Sequence, residues 1–236
     1  MPTRTRPVAD LVTHALTILA GIAVIVIAVV SPDHFHHLAR KDAFRDTGLF
    51  EHLTVAVLIP GIIAGIYALV RYRRRLPRLY LQGYLALWIL ACIYFAGEEA
   101  SWGQWYFGWE TPPALAEVNK QEETNIHNIS SWLNQKPRAM VELFITFVGL
   151  LVPAVIYLVT RATPSPRAPA AWILAPGICW SAAFFHTLFR VCSFIDNPLA
   201  QRLGSSELRE LAVAWFLAIY LWSFALRLRR VRPGAT

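Results

Sequence analysis

The stretch Leu11–Val30 reads LVTHALTILAGIAVIVIAVV and contains no Asp, Glu, Lys or Arg. A helix rises about 1.5 Å per residue, so a run of this length crosses a hydrocarbon core of about 30 Å. The run is too long for a signal-peptide core, and no small-residue cleavage site follows Val30. We therefore predict a retained membrane helix, in which His14 has a hydrogen-bonded packing role rather than a role as a haem ligand.

Five more apolar segments follow along the chain. Hydrophobic residues make up 56% of the sequence and charged residues 16%, and the mean hydropathy is +0.43, which is too apolar for an ordinary soluble domain. We predict an all-α integral membrane protein, a single-domain bundle of six transmembrane helices. The predicted spans are 11–30, 53–70, 79–95, 141–159, 169–189 and 208–228.

Two of these spans carry a helix-breaking pair. Pro60-Gly61 in the second span and Pro176-Gly177 in the fifth are compatible with broken or kinked helices. The cysteines, by contrast, give no sign of a disulfide framework. Cys92 lies in the third span, and Cys179 and Cys192 lie too far apart along one helix to bridge. We predict three free cysteines that pack as small apolar side chains.

The charges predict an orientation. If both termini are cytoplasmic, the inner segments hold 13 of the 22 basic residues and only one of the 15 carboxylates, Asp10. Enrichment of Lys and Arg in short cytoplasmic loops is the usual topogenic signal. The expected location is thus the inner membrane of a cell, with both termini in the cytoplasm. The net charge of +7 indicates contact with membrane lipid and gives no reason to expect nucleic acid as a partner.

Residues 96–138 are the longest outer segment and the predicted functional loop. Their tryptophan and tyrosine rings would be costly in water but settle well among lipid headgroups, so an interfacial or re-entrant loop is expected between the third and fourth helices. Gly97–Gln104 is predicted to continue the third helix, and Thr111 to cap a short helix that opens with Pro112. Ile126, Ile129, Trp132 and Leu133 recur at helical spacing, which predicts an amphipathic helix over Glu123–Leu133.

Ionisable groups near membrane depth are expensive unless they are paired, ligated or in a wet cavity. Topology brings the outer ends of the fifth and sixth helices to the same side as the loop, so we expect one polar pocket. The predicted catalytic residues are Glu98, Glu99, His127 and Glu210. The predicted substrate-binding residues are Ser101, Gln104, Asn125, Asn128 and Arg190. A divalent metal such as zinc, if present, would be bound by Glu98, Glu99, His127, His186 and Glu207.

Some members of this set have a purely structural alternative. Glu207 follows Ser205 and Ser206, where an acid in the first turn stabilises a helix by itself. Glu142, one turn after Arg138, is expected to form a surface or interfacial ion pair. The pair Glu98 and Glu99 is harder to explain in this way, because it adjoins an apolar run where solubility requires no carboxylate.

Three motifs in the loop carry a resemblance. They are Gly97-Glu98-Glu99-Ala100-Ser101-Trp102-Gly103-Gln104, then Phe107-Gly108-Trp109-Glu110-Thr111-Pro112, then Glu123-Thr124-Asn125-Ile126-His127-Asn128. Together they resemble the signature of a poorly characterised family of bacterial polytopic membrane proteins. The resemblance implies a bacterial membrane protein and implies no activity. Members of that family carry glycine before the Glu-Thr-Asn element, where this chain has Glu122.

Function stays open between classes at this point. One hypothesis is a metal-dependent hydrolase or transferase that acts on a lipid, because the pocket lies where headgroups lie. The others are a non-enzymatic protein that binds or transports a small solute or a proton, and a structural or assembly protein of the membrane. The discriminating feature is geometric. An enzyme needs a reachable carboxylate or histidine with an unpaired lone pair, whereas a structural network leaves none.

Overall fold

The structure, a computed structural model, describes residues 6–39, 48–119, 123–126 and 129–231, with the side chains of residues 6, 7, 131, 133 and 134 left aside. These ranges contain α-helices, short 3-10 turns and one π-helical segment, and no strand. The α-helices are α1 Arg6–Val30, α2 Pro32–Ala39, α3 Leu49–Tyr72, α4 Tyr80–Glu99, α5 Gln104–Phe107, α6 Pro113–Ala116, α7 Ser131–Phe144, α8 Val152–Thr160, α9 Ala170–Ile173, α10 Trp180–Cys192, α11 Pro198–Leu203 and α12 Ser206–Arg230.

Six helical segments are long and apolar enough to cross a membrane, which confirms the predicted fold class. They are Val8–Val30, Leu49–Arg75, Tyr80–Glu99, Gln135–Thr160, Ala170–Cys192 and Ser206–Arg230. The third segment ends four residues later than predicted, and the fourth begins six residues earlier. Both extensions lie at the end of the bundle that carries the described residues 100–119, 123–126 and 129–130. We call this end the loop face. The two extensions give it additional helical turns that bear charged residues.

Helix α12 is the centre of the bundle. Half of its most apolar window is buried, against 17% for the corresponding window of the peripheral first helix. Close packing against α3 depends on glycine, since a Cβ added at Gly61 would lie 2.5 Å from the Cα of Ala218. The rings of Phe216, Tyr220 and Phe224 then fill the core around α12. Burial of large rings of this kind stabilises the packed state, and small residues on the facing helix let the backbones approach.

The fifth span is broken, as its Pro176-Gly177 pair predicts. Helix α9 ends at Ile173, and an extended Leu174 leads to a 3-10 turn before α10 begins at Trp180. Carbonyl groups exposed by this break are bonded by α12. The hydroxyl of Tyr220 donates to the carbonyls of Ile173 (2.8 Å) and Trp172 (3.1 Å), and Arg227 donates to the carbonyl of Ala171. The second span, in contrast, continues without interruption through Pro60-Gly61.

The fourth span changes its winding at Ile145–Leu151. This stretch is π-helical and joins α7 to α8 in one continuous rod that packs against α10. Gly149 within it faces the Phe216 ring, where an added Cβ would lie 3.0 Å from ring atoms. π-Helical turns in α-helices are rare and occur often near functional sites. The π-helical segment begins three residues after Glu142, a residue of the candidate site described below.

Two smaller predictions are confirmed by the packing. The Nδ1 atom of His14 lies 2.8 Å from the hydroxyl of Ser181, which gives this histidine the hydrogen-bonded role that was expected. All three cysteines are free and buried.

Candidate functional site

The chain reverses direction immediately after α4 through left-handed backbone. Ser101 has a φ angle of +43°, Trp102 of +53° and Gly103 of +100°. Residues other than glycine rarely adopt positive φ, so two in succession must be held by their surroundings. The expected continuation of the third helix over Gly97–Gln104 is therefore wrong beyond Glu99. The physical reason is that the Ser101 side chain bonds Glu123, a residue 22 positions later in the chain that lies outside the helix.

Trp102 is held in this turn by two contacts. Its indole Nε1 donates a hydrogen bond of 2.6 Å to Oε1 of Glu98. Its ring lies against Gly97, where an added Cβ would come within 2.8 Å of ring atoms. The spacing of Gly97, Glu98 and Trp102 in the first motif is thus explained by local packing. Glycine makes room for the ring, and the glutamate accepts from it.

Glu98 also connects the membrane helix to the far end of the loop. Its second oxygen, Oε2, accepts a hydrogen bond of 2.8 Å from the backbone N–H of Ile126. The carboxyl group is only 3% exposed. A buried carboxyl group that accepts from two N–H donors fixes both donors in place. Glu98 therefore acts first as an anchor for the loop.

A second group of bonds joins Ser101 to the third motif. The Ser101 hydroxyl donates to Oε2 of Glu123 (3.1 Å), and the amide of Asn125 donates to the same oxygen (2.6 Å). Asn119 donates to the carbonyl and to the side-chain oxygen of Asn125, at 2.7 and 2.9 Å. All four side chains are buried. Each is thus paired within the loop, as buried polar groups must be.

The middle motif is attached through Gln104. Its side-chain oxygen accepts from the backbone N–H of Thr124 (2.7 Å), and its side-chain nitrogen donates to the hydroxyl of Thr111 (2.9 Å). Thr111 therefore bonds Gln104 and makes no side-chain cap for α6, contrary to expectation. The three sequence motifs thus meet in one hydrogen-bonded network, which we call the loop network. It comprises Glu98, Ser101, Trp102, Gln104, Thr111, Asn119, Glu123, Thr124 and Asn125.

The predicted amphipathic helix over Glu123–Leu133 is wrong. The described residues Glu123–Ile126 are not helical, and the helix starts only at Ser131. The reason is that the side chain of Glu123 and the backbone N–H groups of Thr124 and Ile126 bond to α4 and to the turn that follows it. Such side-chain bonds to backbone compete with helix formation. His127 and Asn128, predicted as a catalytic and metal-binding residue and as a substrate-binding residue, lie outside the described residues.

A cluster of ion pairs lies beside the loop network. Oε1 of Glu142 bonds Arg138 (3.3 Å) and Arg209 (2.9 Å), while its Oε2 bonds Arg190 (2.9 Å). Arg138 also pairs with Glu210 at 2.6 Å. Glu142 is only 4% exposed, so the expected surface or interfacial pair with Arg138 is in fact part of a buried centre that joins three helices, α7, α10 and α12. Removing one partner from such a buried group leaves uncompensated charge.

This arrangement assigns a place to Arg190, which was predicted to bind substrate. Its guanidinium bonds Glu142, donates to the hydroxyl of Ser193 (2.9 Å) and lies over the Phe194 ring, 4.2 Å from the centroid. These contacts connect the fifth span to the fourth. Ser205, the residue before α12, forms no side-chain cap, and Glu207 stands in the first turn of that helix.

A cavity of about 160 Å³ lies between the two groups, at the loop face. This volume has room for a small polar head group or for several water molecules. Four of the lining residues are charged, and the others are apolar or aromatic. The charged ones are Glu98, Glu99, Arg138 and Glu210, and the rest are Ala91, Tyr94, Phe95, Pro137, Val141, Val213 and Leu217. The cavity is thus lined by both apolar and charged side chains.

Glu99 differs from the other carboxylates of this cavity in having no bonding partner among the described residues. It has no hydrogen bond or ion pair with another residue of the described ranges, whereas Glu98 and Glu210 each bond a neighbour. The charged groups that act on Glu99 are Glu210, Glu51, Arg138 and Glu207, so acids outnumber bases around it. The site therefore presents an unpaired acceptor in acidic surroundings.

His186 differs from Glu99 in its electrostatic surroundings. Its ring is fully buried, and neither ring nitrogen has a partner within the described part of the chain. The guanidinium groups of Arg209, Arg138 and Arg190 all act on it. Three nearby cations oppose the binding of a divalent cation at this ring. Among the described residues, no group of three or more His, Cys, Asp or Glu side chains is arranged to hold a metal ion.

Exposed aromatic rings follow the turn after α4 in the sequence. Phe107 and Trp109 stack with centroids 5.7 Å apart, and they are 79% and 41% exposed. The Tyr106 hydroxyl lies 3.2 Å from Nδ1 of His52. Partial burial raises the pKa of the Tyr106 phenol, so it stays protonated at neutral pH. Exposed amphipathic rings are typical of a membrane interface.

Three residues of the site were missed from the sequence: Arg209, Asn119 and Trp102 as a hydrogen-bond donor. Only Trp102 had a local signal, its spacing of four residues from Glu98, because the partners of Arg209 lie in other helices. The resemblance drawn from the three motifs stays a prediction. Comparisons of the chain with protein-family models, curated proteins and solved structures found no match.

Proposed function

We propose that the protein binds an amphiphilic molecule from the membrane, with a positively charged or hydrogen-donating head next to Glu99. The observation that carries this proposal is the contrast between Glu99 and its neighbours. Every other carboxylate of the cavity is bonded within the protein, while Glu99 has no partner among the described residues. An unpaired carboxylate near membrane depth is costly, and a bound cation would offset that cost.

The apolar lining of the cavity supports the amphiphilic character of the ligand. Phe95, Val141 and Leu217 line the cavity together with the charged residues. A ligand that is purely polar would leave this surface without a partner, whereas a short stretch of acyl chain would cover it. The proposed ligand class is therefore an amine-bearing amphiphile.

A pair of matched variants tests this function. Glu99 lines the cavity, and Glu207 acts on the same region without lining it, so Glu207→Gln removes an equal charge outside the site. Binding of dodecylamine and of dodecanol is measured by thermal stabilisation of the detergent-purified chain. We expect wild type and Glu207→Gln to prefer the amine, and Glu99→Gln to lose at least about ten-fold in amine affinity. Equal amine binding by Glu99→Gln and wild type would contradict the proposal.

A metal-dependent hydrolase or transferase acting on a lipid is the second candidate. The observation in its favour is that Glu98, Glu99 and Glu210 line one cavity, and that Ile126, the residue before His127 in the sequence, is bonded to Glu98. In this hypothesis His127 would have to complete the donor set, and a divalent metal such as zinc would supply a polarising charge. Ser101, Gln104 and Asn125 would then keep the loop in position rather than contact substrate.

Elemental mass spectrometry of the purified chain tests the second candidate. Near-stoichiometric metal in wild type and in the Glu117→Gln control, lost in His127→Ala and in Glu99→Ala, would support it. Wild-type protein without metal after reconstitution with zinc would contradict it, and this result would leave the amphiphile-binding function standing.

We also propose that the protein lies in a bacterial inner membrane with both termini in the cytoplasm. Support comes from the arginines at the end of the bundle opposite the loop face. Fusion of alkaline phosphatase or of green fluorescent protein to the C-terminus tests this orientation. Fluorescence without phosphatase activity is expected, and the reverse result would contradict it.

A further inference from the structure

Two helix ends meet at the end of the bundle opposite the loop face. The 3-10 turn Arg73–Arg75 follows α3, and α12 ends at Arg230. Arg75 joins them, because its Nη1 donates to the carbonyls of Leu228 and Arg229, both at 3.1 Å. Its guanidinium also lies over the Tyr72 ring, 4.6 Å from the centroid. The two arginine-rich segments are thereby held side by side.

The exposed arginines of these two segments form what we call the arginine face. Its members are Arg71, Arg73, Arg74, Arg78, Arg229 and Arg230. The side chains of Arg73, Arg74 and Arg230 have no hydrogen bond or ion pair with any described residue. No Asp or Glu occurs in residues 71–97 or 211–236 of the sequence. These two segments therefore contain no carboxylate that could pair with the guanidinium groups of the arginine face.

Arg227 shows what an arginine with a structural role looks like in the same region. It donates to the carbonyls of Ala171 and Ser223 and lies between the rings of Trp172 and Phe224, at 4.9 and 4.7 Å from their centroids. Its donors are used inside the bundle. Within the described part of the chain, Arg73, Arg74 and Arg230 have no comparable contacts, so packing does not explain their presence.

The position of the arginine face relative to the membrane indicates which class of partner it can bind. The arginine face lies at the ends of the spanning segments Leu49–Arg75 and Ser206–Arg230. Tyr67 and Tyr72 lie at the same depth, with hydroxyls 3.2 Å apart, and Tyr80 is 57% exposed. Tyrosines of this kind settle at headgroup level. The guanidinium groups therefore reach the layer in which lipid phosphates lie, and their planar forks match the geometry of phosphate oxygens.

We propose that the arginine face binds the phosphate groups of anionic phospholipids in the adjacent leaflet. A cluster of basic residues next to a membrane span attracts anionic headgroups, and the attraction falls off within a Debye length. The side chains that carry the binding are those without partners, Arg73, Arg74 and Arg230. This inference is independent of the ligand proposed for the loop face.

Native mass spectrometry of the full chain tests the inference. The detergent-purified protein is incubated with an equal mixture of phosphatidylglycerol and phosphatidylcholine that have the same acyl chains. Wild type is expected to retain mainly the anionic lipid. The variant Arg73→Gln/Arg74→Gln/Arg230→Gln should lose this preference by roughly five-fold for each charge removed, whereas the corresponding triple lysine variant should keep most of it. Thermal unfolding of each variant verifies that it is folded.

Three outcomes would overturn the inference. The first is an unchanged preference in the glutamine variant. The second is an equal loss in the control Lys136→Gln, an exposed charge of the loop face, because the effect would then be unspecific. The third is displacement of the lipid by inorganic phosphate at constant ionic strength, which would assign the site to free phosphate rather than to a headgroup.

Discussion

The backbone N–H of Ile126 donates a 2.8 Å hydrogen bond to Oε2 of Glu98, a residue 28 positions earlier in the chain. Through this bond a membrane helix holds the far end of the loop that follows it. The other oxygen of the same carboxylate accepts from Trp102. Glu98 therefore holds both the turn that contains Trp102 and the later segment at Ile126 against α4.

Replacement of Glu98 by alanine should destabilise the protein by about 2 to 5 kcal/mol, because the N–H groups of Trp102 and Ile126 lose their buried acceptor. Thermal unfolding in detergent measures this loss, and limited proteolysis within residues 104–126 reports on the loop. Glu117→Gln is the control, since Glu117 is exposed in the same loop and its change should cost less than about 0.5 kcal/mol. A stable Glu98→Ala protein with a protease-resistant loop would contradict the anchoring role.

Two glycines of α4 give a matched comparison. A Cβ at Gly97 would lie 2.8 Å from the Trp102 ring, whereas one at Gly83 would meet no atom within 4 Å. Gly97→Ala should thus displace the indole and destabilise by about 1 to 3 kcal/mol, while Gly83→Ala should be neutral or stabilise by up to about 1 kcal/mol. Thermal unfolding and tryptophan fluorescence measure both variants. Equal effects of the two changes would disprove the proposed contact.

Glu142→Gln should be more damaging than changes at exposed acids, because it leaves three guanidinium groups around an uncharged side chain. We expect a loss of about 3 to 5 kcal/mol. The double variant Glu142→Gln/Arg190→Gln should be less destabilised than the sum of the two single variants, since it removes both members of a buried pair. A thermodynamic cycle from unfolding measurements gives this coupling, and strict additivity would argue against a direct interaction.

Tyr220→Phe should destabilise by about 1 to 3 kcal/mol, since the carbonyls at the break in the fifth span lose their donor. Tyr157→Phe is the control, because Tyr157 is partly exposed and belongs to the neighbouring span α8, with ring contacts to Trp180. Its change should cost less than about 0.5 kcal/mol. Comparable losses of stability in both variants would contradict a stabilising role of the Tyr220 hydroxyl bonds.

The membrane spans were predictable because hydrophobic length is a local property of sequence. The Pro176-Gly177 pair was compatible with the break in the fifth span, but the same pair at Pro60-Gly61 does not interrupt α3. The loop network was not predictable. Ser101 and Glu123 bond across 22 positions, and their contact depends on left-handed backbone that no periodicity signals. The helix predicted over Glu123–Leu133 failed for the same reason, since side-chain bonds outweighed helical spacing. Glu142 was expected to form only a surface or interfacial pair with Arg138, because Arg190 and Arg209 lie far from it in the sequence.

The break in the fifth span has a consequence for the order in which the chain is built. Until α12 is made, the carbonyls of Ala171, Trp172 and Ile173 lack their hydroxyl and guanidinium donors. Exposed carbonyls are unfavourable in hydrocarbon. The fifth span is therefore expected to wait at the translocon, or in a wet environment, until the last helix arrives. The two helices should enter the bilayer as a pair, and a chain truncated at residue 205 should leave residues 170–192 extractable by alkaline carbonate.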